Sequence, residues 1–569
     1  MAFQLSPGVV TSEVDLTTVV PAAGTTTGAF AGIFQWGPAE LARQIESEVR
    51  LVEVFQKPDN NTAVSFFTCA NFLTYGNDLR VVRAVNGVST RTATASGNNT
   101  YLIKNEDQYF TSYYGANTAN TGAWTARYPG ALGNSLKVSV WANTDLTHFN
   151  AWAYKNYFDA IPGTSSYVAA AGGANDEMHI VVVDEDGLFS GTTGTVLETY
   201  PFVSKASDAK DSVGNSNYYR DVIWRKSKYI YWTDHPDITN TYVTWGTTAA
   251  GKTFAQVPNV TAAHTVSLSS GADGTIASGN VQTAYSKFID ADLIDVSLVM
   301  TGDADSATAL YAINSIAEVR KDCVVFVSPA LANVTSATPA DDVVNYRKNA
   351  LSNVSSSYAV MDSGWKYQYD KYNDKYRWIP LNGDVAGLCA RTDTETDPWF
   401  SPAGASRGSV KNVIKLAYYP AKADRDTLYK NGINPVVSFA GEGTLLFGDK
   451  TMLSKPSAFD RINVRRLFIA LEKAISRAAK AQLFEFNDEF TRSQFVSIVE
   501  PFLRTVKGRR GITDFQVVCD ASNNTPDVVD RNEFVGDIYV KPNRSINFIQ
   551  LNFVAVRSGV SFDEVVGRI

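Results

Sequence analysis

The pattern of apolar and polar positions changes period several times along this chain, and the changes divide it. In "VVTSEVDL", Val10, Val14 and Leu16 fall on one side and Glu13 and Asp15 on the other. That loose alternation predicts a half-buried strand, yet nothing before it could pair with it and no hairpin turn follows. "PAAGTTTG", Pro21 to Gly28, has no large apolar residue and reads as a linker. Next come a buried strand, "GAFAGIFQWGP", a helix, "AVSFFTCANFLTYG", with Val64, Phe67, Ala70 and Phe72 near helical spacing and Gly76 as its stop, and a second strand, "DLRVVRAV".

From Asn86 to about Arg127 the chain turns rich in Thr, Asn, Ser, Gly and Ala. "SLKVSVW", "HIVVVDEDGLF", "YIYWTD" and "NTYVTW" then predict short strands separated by turns, a β-rich insertion. An α/β pattern resumes near 290: a strand in "ADLIDVSLVMTG", an amphipathic helix in "SATALYAINSIAEVR", and in "KDCVVFVSP" the apolar run of a strand covered on both faces. In "SAFDRINVRRLFIALEKAISRAAKAQLF", Val464, Leu467, Phe468, Leu471, Ile475 and Ala478 define one helical face, with Ser457 and Asp460 spaced as a capping box. "FQVVCD", "FVGDIYVKP" and "SINFIQLNFVAV" read as strands, and in the last Ile549, Leu551 and Phe553 alternate with Gln550 and Asn552.

The expected fold class is therefore a multi-domain α/β (α+β) chain. An α/β core is formed by its N- and C-terminal parts, with a β-rich insertion and extended terminal arms. The divisions are an N-terminal arm at 1–28, core at 29–86, insertion at 87–290, core again at 291–515, and C-terminal strands with a second arm at 516–569. A chain of 569 residues suits several cores better than one.

Charge and cysteine content narrow the function classes. The net charge of -7 disfavours a surface that coats nucleic acid. Cys69, Cys323, Cys389 and Cys519 form no C-x-x-C pair, so buried free thiols are expected rather than disulfides or a zinc knuckle. The N-terminus lacks the basic and apolar regions of a signal peptide, and no apolar run is long enough to span a bilayer.

Motifs for chemistry are scarce. "GASRG", Gly404 to Gly408, matches G-x-S-x-G with Ser406 as nominal nucleophile. That fold needs a histidine after the serine, and His148, His179, His235 and His264 all precede it, so a Gly-rich loop is the better reading. No histidine pair has ligand spacing; "DEDG" and "GDADS" lack the glutamate of a calcium loop; "AAGKT" lacks the first glycine of a phosphate loop. No catalytic residue, metal ligand or cofactor is expected. "WKYQYDKYNDKYRW", Trp365 to Trp378, interleaves rings and cations, as single-strand or glycan binders do. An amphipathic hairpin explains it more simply. Arg461, Arg465, Arg466, Lys473 and Arg477 place cations along the 459–483 helix, either as a solvated face or as a docking surface for an acidic partner.

Several blocks together carry a resemblance. "GIFQWGPA", "FLTYGNDLRVVRAV", "YPGALGN", "KYQYDKYNDKYRWIPLNGDVAGLCARTD", "PWFSPAG", "FDRINVRRLF", "FNDEFTR" and "VVDRNEFVGDIYVKP" occur in this order. They resemble the tail sheath proteins of contractile-tailed, myovirus-type phages. The resemblance covers both ends and the α/β body, and least of all 87–290, where the family carries outward-facing domains of variable size. Only residues 86–127 separate two of the blocks, so the outermost domain is expected to be reduced.

The resemblance implies a structural subunit, not an enzyme. It would polymerise as stacked hexameric rings around a tail tube and contract to drive the tube through the host envelope. A sheath of a non-virion injection machine is the alternative. Implied partners are other copies of the chain, the tube, baseplate and terminator proteins, with no direct nucleic-acid contact and no membrane insertion. The implied location is the virion tail, assembled in host cytoplasm. In the family the terminal arms join a sheet on neighbouring subunits. Carried over, Val9, Val10, Thr11, Val14 and Leu16 form one arm and Ile549, Leu551 and Phe553 the other. Pro21 and Gly24 would be the hinge, and the five cations from Arg461 to Arg477 the contact with the tube or neighbouring cores.

Overall fold

The structure is a computed structural model and describes residues 24–98, 100–115, 121–236, 244–256 and 263–547. They divide into two compact units. The larger runs to Pro398 and from Pro402 to Arg477; the smaller holds Trp399–Ser401 and the chain from Ala478 on.

A seven-stranded sheet centres the larger unit. Its order is Ile433–Asn434, Ala359–Asp362, Val324–Val327, Leu298–Met300, Gly28–Gly32, Leu79–Arg83, Arg43–Ile45, parallel throughout except for the last strand. Every residue of Gly28–Gly32 and Val324–Val327 is buried, which explains why these strands read as apolar runs and not as alternation. Leu298–Met300 and Leu79–Arg83, the strands that bracket the insertion, flank Gly28–Gly32 on its two sides, although far apart in sequence.

Helices cover the sheet. Ala63–Leu73 is buried on nearly all sides, because it packs against strands and against Asn382–Glu395. Gly383 and Gly387 permit that second contact. A Cβ on Gly383 would lie 2.6 Å from the Thr68 carbonyl oxygen, and one on Gly387 2.5 Å from the Tyr75 ring. "SATALYAINSIAEVR" forms Ser306–Tyr311, a π-helical stretch Ala312–Ala317, and Glu318–Arg320.

Between Arg83 and Leu298 lies a four-stranded antiparallel sheet, ordered Thr195–Ser204, Glu177–Asp184, Leu136–Trp141, His264–Ser267. Trp124–Ala126 pairs with Ile230–Trp232. Short helices also occur there, Glu106–Ser112 and Tyr219–Lys226 among them, which alternation alone did not signal. Most of "NTYVTW" lies outside the described residues. Trp36, from the first core segment, packs into this region's core against Tyr128 and Phe189. Its turn is held by Arg83, which donates to the carbonyls of Phe34, Gln35 and Gly37. Burial pulls the Arg83 pKa down to about 10.

In the smaller unit, Ile512–Val518 and Asp537–Pro542 form an antiparallel pair, and Glu489–Gly508 packs on it. The boundary between the units thus falls at Arg477, whereas the strand pattern of the chain end placed a division at 515, because this helix buries its stripe on the terminal hairpin.

Candidate assembly surface

The helix Glu489–Gly508 starts where Asp488 accepts from the Thr491 amide at 2.8 Å. Thr491, Phe495, Ile498, Val499, Leu503 and Val506 form its buried stripe. The loop before the last strand is pinned by the buried Asn524, which donates to the Val535 carbonyl and accepts from the Val535 amide. Trp399, from the "PWFSPAG" block, donates to the Arg509 carbonyl at 3.0 Å and lies close over Gly511. The hairpin on this support has no third strand among the described residues, so each of its strands offers one open edge of backbone donors and acceptors.

The arm residues Val9, Val10, Thr11, Val14, Leu16, Ile549, Leu551 and Phe553, and the hinge residue Pro21, lie outside the described residues. Gly24 is described and exposed. The proposed slack ends there: Thr25 and Thr27 are buried and belong to the core, contrary to the linker reading of "PAAGTTTG". Their hydroxyls donate to Asp393 at 2.6 Å and Asp78 at 2.8 Å, which satisfies them inside the protein.

The basic stripe is also corrected. Arg465 and Arg466 are each only 4% exposed, because the first half of Ile462–Ala479 is surrounded by protein. Arg465 lies over the rings of Tyr358 and Phe459. Arg466 pairs with Asp393 and also donates to the carbonyls of Cys389 and Thr25. Burial pushes the Asp393 carboxyl pKa upward, and Arg466 opposes the rise. Arg461 bonds Tyr429, and Lys473 is spent on Asp295 and Ser297. Arg477, which reaches Asp295 at 3.4 Å, keeps 45% of its side chain exposed. The stripe therefore holds the core together. Arg466 in particular joins the long helix, Asn382–Glu395 and the point where the N-terminal segment enters the core. Ser457 caps a single 3-10 turn, and the α-helix begins later, at Ile462.

The other sequence-marked groups have structural work. Ser406 is exposed on a turn of the Gly-rich loop. All four cysteines are free and buried. Asp184 accepts from Ser135, Phe189 and Ser190 in a turn, and Asp305 caps the helix Ser306–Tyr311. No group of His, Cys, Asp or Glu among the described residues could hold a metal. At the centre of a doubly wound sheet a ligand crevice often opens beyond the strand ends. Here Asn382 bridges the chain after two neighbouring strands, accepting from the Gly302 amide at 2.9 Å and donating to the Gly302 carbonyl at 2.7 Å and the Ser328 hydroxyl at 2.9 Å. A cavity of about 190 Å³ is lined by Ile33, Asp59, Thr62, Arg83 and Asp273 among others. Its Arg83 is committed to the three carbonyls above and Asp59 to the amides of Asn61 and Thr62.

Residues 294–452 match the phage tail sheath protein central domain and 454–555 the phage tail sheath C-terminal domain. The tail sheath protein of Vibrio phage KVP40 is 35% identical over 99% of this chain and 100% of its own length. The chain belongs to the phage tail sheath proteins. The tail sheath protein of Enterobacteria phage T4 is likewise 35% identical, over 99% of each chain, and that of Salmonella phage ViI 31%. A solved sheath tail protein from Desulfitobacterium hafniense shares the fold with a TM-score of 0.53 over 95% of this chain and 100% of that one, at 12% identity. The contracted helical sheath of the anti-feeding prophage does so with a TM-score of 0.50, over 97% and 99%, at 12% identity. This sheath protein is thus a structural subunit of a phage tail, with the mixed α/β fold expected.

Proposed function

We infer that this sheath protein polymerises as stacked hexameric rings around a tail tube and that the array contracts to drive the tube through a host envelope. The observation that carries the reading is the open-edged hairpin Ile512–Val518/Asp537–Pro542 on its helix support, in a chain whose two ends are strand-patterned. Foreign strands added to those edges hold neighbours by backbone hydrogen bonds, which survive rotation of the bodies they join. In this reading Val9–Leu16 and the Ile549–Phe553 strand are the donors and the hairpin is the acceptor. The hinge is Pro21 to Gly24, just before the anchored Thr25. The region 87–290 would face outward. The alignment to the KVP40 protein runs over 668 positions, more than this chain has, which fits a reduced outer domain.

Tube and baseplate proteins are the proposed partners in a virion assembled in host cytoplasm. Since the 461–477 stripe is largely interior, an acidic tube surface would meet the exposed cations at the end of the smaller unit's helix, Arg504, Lys507, Arg509 and Arg510. Deleting residues 1–20 tests the reading. The truncated chain is expected to fold and stay dispersed where the full chain forms hollow striated tubes in negative stain. Tubes from the truncated chain would refute the donor role.

A further inference from the structure

The hairpin Trp365–Asp370/Lys375–Pro380 carries an aromatic face that the sheath reading leaves unused. Tyr367 stands opposite Trp378 and Tyr369 opposite Tyr376, so four rings share one side of the sheet. Tyr367 lies 4.7 Å from Trp378 and 5.6 Å from Tyr376, and Tyr369 lies 5.4 Å from Tyr376, between ring centres. Lys415, opposite Tyr367 on the third strand, holds its ammonium 5.0 Å from the Tyr367 ring and 5.5 Å from that of Trp378. Among the described residues it has no acidic partner. Tyr369 and Tyr376 are exposed, as is Ile414 next to Lys415. Tyr and Trp are among the residues most enriched in interface hot spots.

A second unpartnered surface has the opposite charge. In "LFEFNDEF", the side chains of Leu483, Phe484, Phe486 and Phe490 are exposed, Phe486 at 84%, and are interleaved with exposed Glu485, Asp488 and Glu489. Glu485 and Glu489 have no cationic partner among the described residues. The segment is built to present these rings. Asn487 ties it to the Glu533 carbonyl at 2.7 Å, and Asp488 caps the helix that follows. Phe484 takes a φ of 72°, a conformation unfavourable for a bulky residue and found where function maintains it.

We propose that Leu483–Phe490 of one copy of this chain docks on the Tyr367–Tyr369–Tyr376–Trp378–Lys415 face of a second copy. The phenylalanines lie on the ring ladder and Glu485 pairs with Lys415. Charge complementarity selects this occupant: a cation without an acid on one patch, acids without cations on the other, in a chain whose net charge of -7 disfavours a polyanionic ligand. The patches differ, so the contact is heterologous and propagates instead of closing a dimer, as a sheath requires. The proposal rests on the sheath reading only for the presence of adjacent copies.

Full-length chains carrying Tyr376→Cys are mixed with full-length chains carrying Phe486→Cys and treated with a short bis-maleimide. Both sites are exposed and all native cysteines are buried, so reaction at the new thiols is selective. The expected result is a covalent heterodimer, strongly reduced by adding Lys415→Glu to the first chain and recovered by adding Glu485→Lys to the second. Tubes that yield no heterodimer, or a heterodimer indifferent to Lys415→Glu, overturn the proposal and leave the sheath reading standing. If no tubes form, the sheath reading falls. The heterodimer in dispersed protein then decides the docking by itself, its presence supporting and its absence overturning it. Saturable quenching of Trp378 by an oligo(dT) strand or a soluble glycan would assign the face to another ligand and overturn it too.

Discussion

Arg466→Ala should loosen the place where the N-terminal segment enters the core. Arg466 and Asp393 expose only 4% and 3% of their side chains. Removing the guanidinium leaves the Asp393 carboxylate with the Thr25 hydroxyl at 2.6 Å as its remaining bond partner, and leaves the carbonyls of Cys389 and Thr25 without their shared donor. Breaking a buried pair by deleting one partner costs about 3–5 kcal/mol, which corresponds to roughly a hundred- to four-thousand-fold in an opening equilibrium. Amide hydrogen exchange over residues 25–32 reads that opening directly. The pH dependence has a definite sign. Burial without the cation raises the Asp393 pKa further. The stability this group contributes is then present below the ordinary carboxylate range and is lost as pH climbs through the raised value. The variant should therefore exchange faster at pH 8 than at pH 5, after correction for intrinsic rates. Replacing both partners, Arg466→Met with Asp393→Leu, should recover part of the protection, because an apolar pair leaves no charge stranded, although the Thr25 hydroxyl and the two carbonyls lose their partners. An Arg466→Ala effect below tenfold, or a double replacement as damaging as the single one, would refute the argument that this pair anchors the segment.

Three further outcomes follow from other contacts. Gly383→Ala should cost about 1–3 kcal/mol in urea unfolding, since its methyl group meets the backbone carbonyl of Thr68, which cannot turn aside; an unchanged midpoint would mean the two helices can separate freely. Asp362, pushed up to about 8 by burial, is held protonated at neutral pH and accepts from Ser328 at 2.6 Å. Its contribution to stability is complete below the ordinary carboxylate pKa and lost as pH rises through 8, so Asp362→Asn should flatten the fall in stability across that window. The truncation of residues 1–20 should abolish tubes while leaving the monomer's circular dichroism unchanged.

How much was legible in the sequence depended on whether the relevant force was local. Buried parallel strands such as Val324–Val327 and Gly28–Gly32 show as apolar runs, because a sheet covered on both faces needs no polar side. The hairpin from Trp365 to Pro380 is legible from alternation and its turn residues, and the register bears it out. The candidate assembly surface was legible only in part. Strand character at Ile512–Val518 and Asp537–Pro542 is visible in the sequence. Their pairing with each other and their support by Glu489–Gly508 are not, because hydrogen-bond partners are chosen at long range.

Residue type alone misjudged the cations of Ile462–Ala479. Arg465 and Arg466 look like a solvated face until Tyr358 and Asp393 are brought around them by distant parts of the chain. Thr25 and Thr27 look like linker until Asp393 and Asp78 arrive to bond their hydroxyls. The sequence by itself determined the family, the alternation of α/β and β-rich segments, and the strand patterning of the chain ends, since each depends on residue order along short stretches. The tertiary structure alone decided which charges are interior, that Thr25 and Thr27 belong to the core, and which strands pair in the terminal hairpin among the described residues. Burial and pairing are properties of neighbours in space, and one such neighbour, Asp393 for Thr25, comes from 368 residues away.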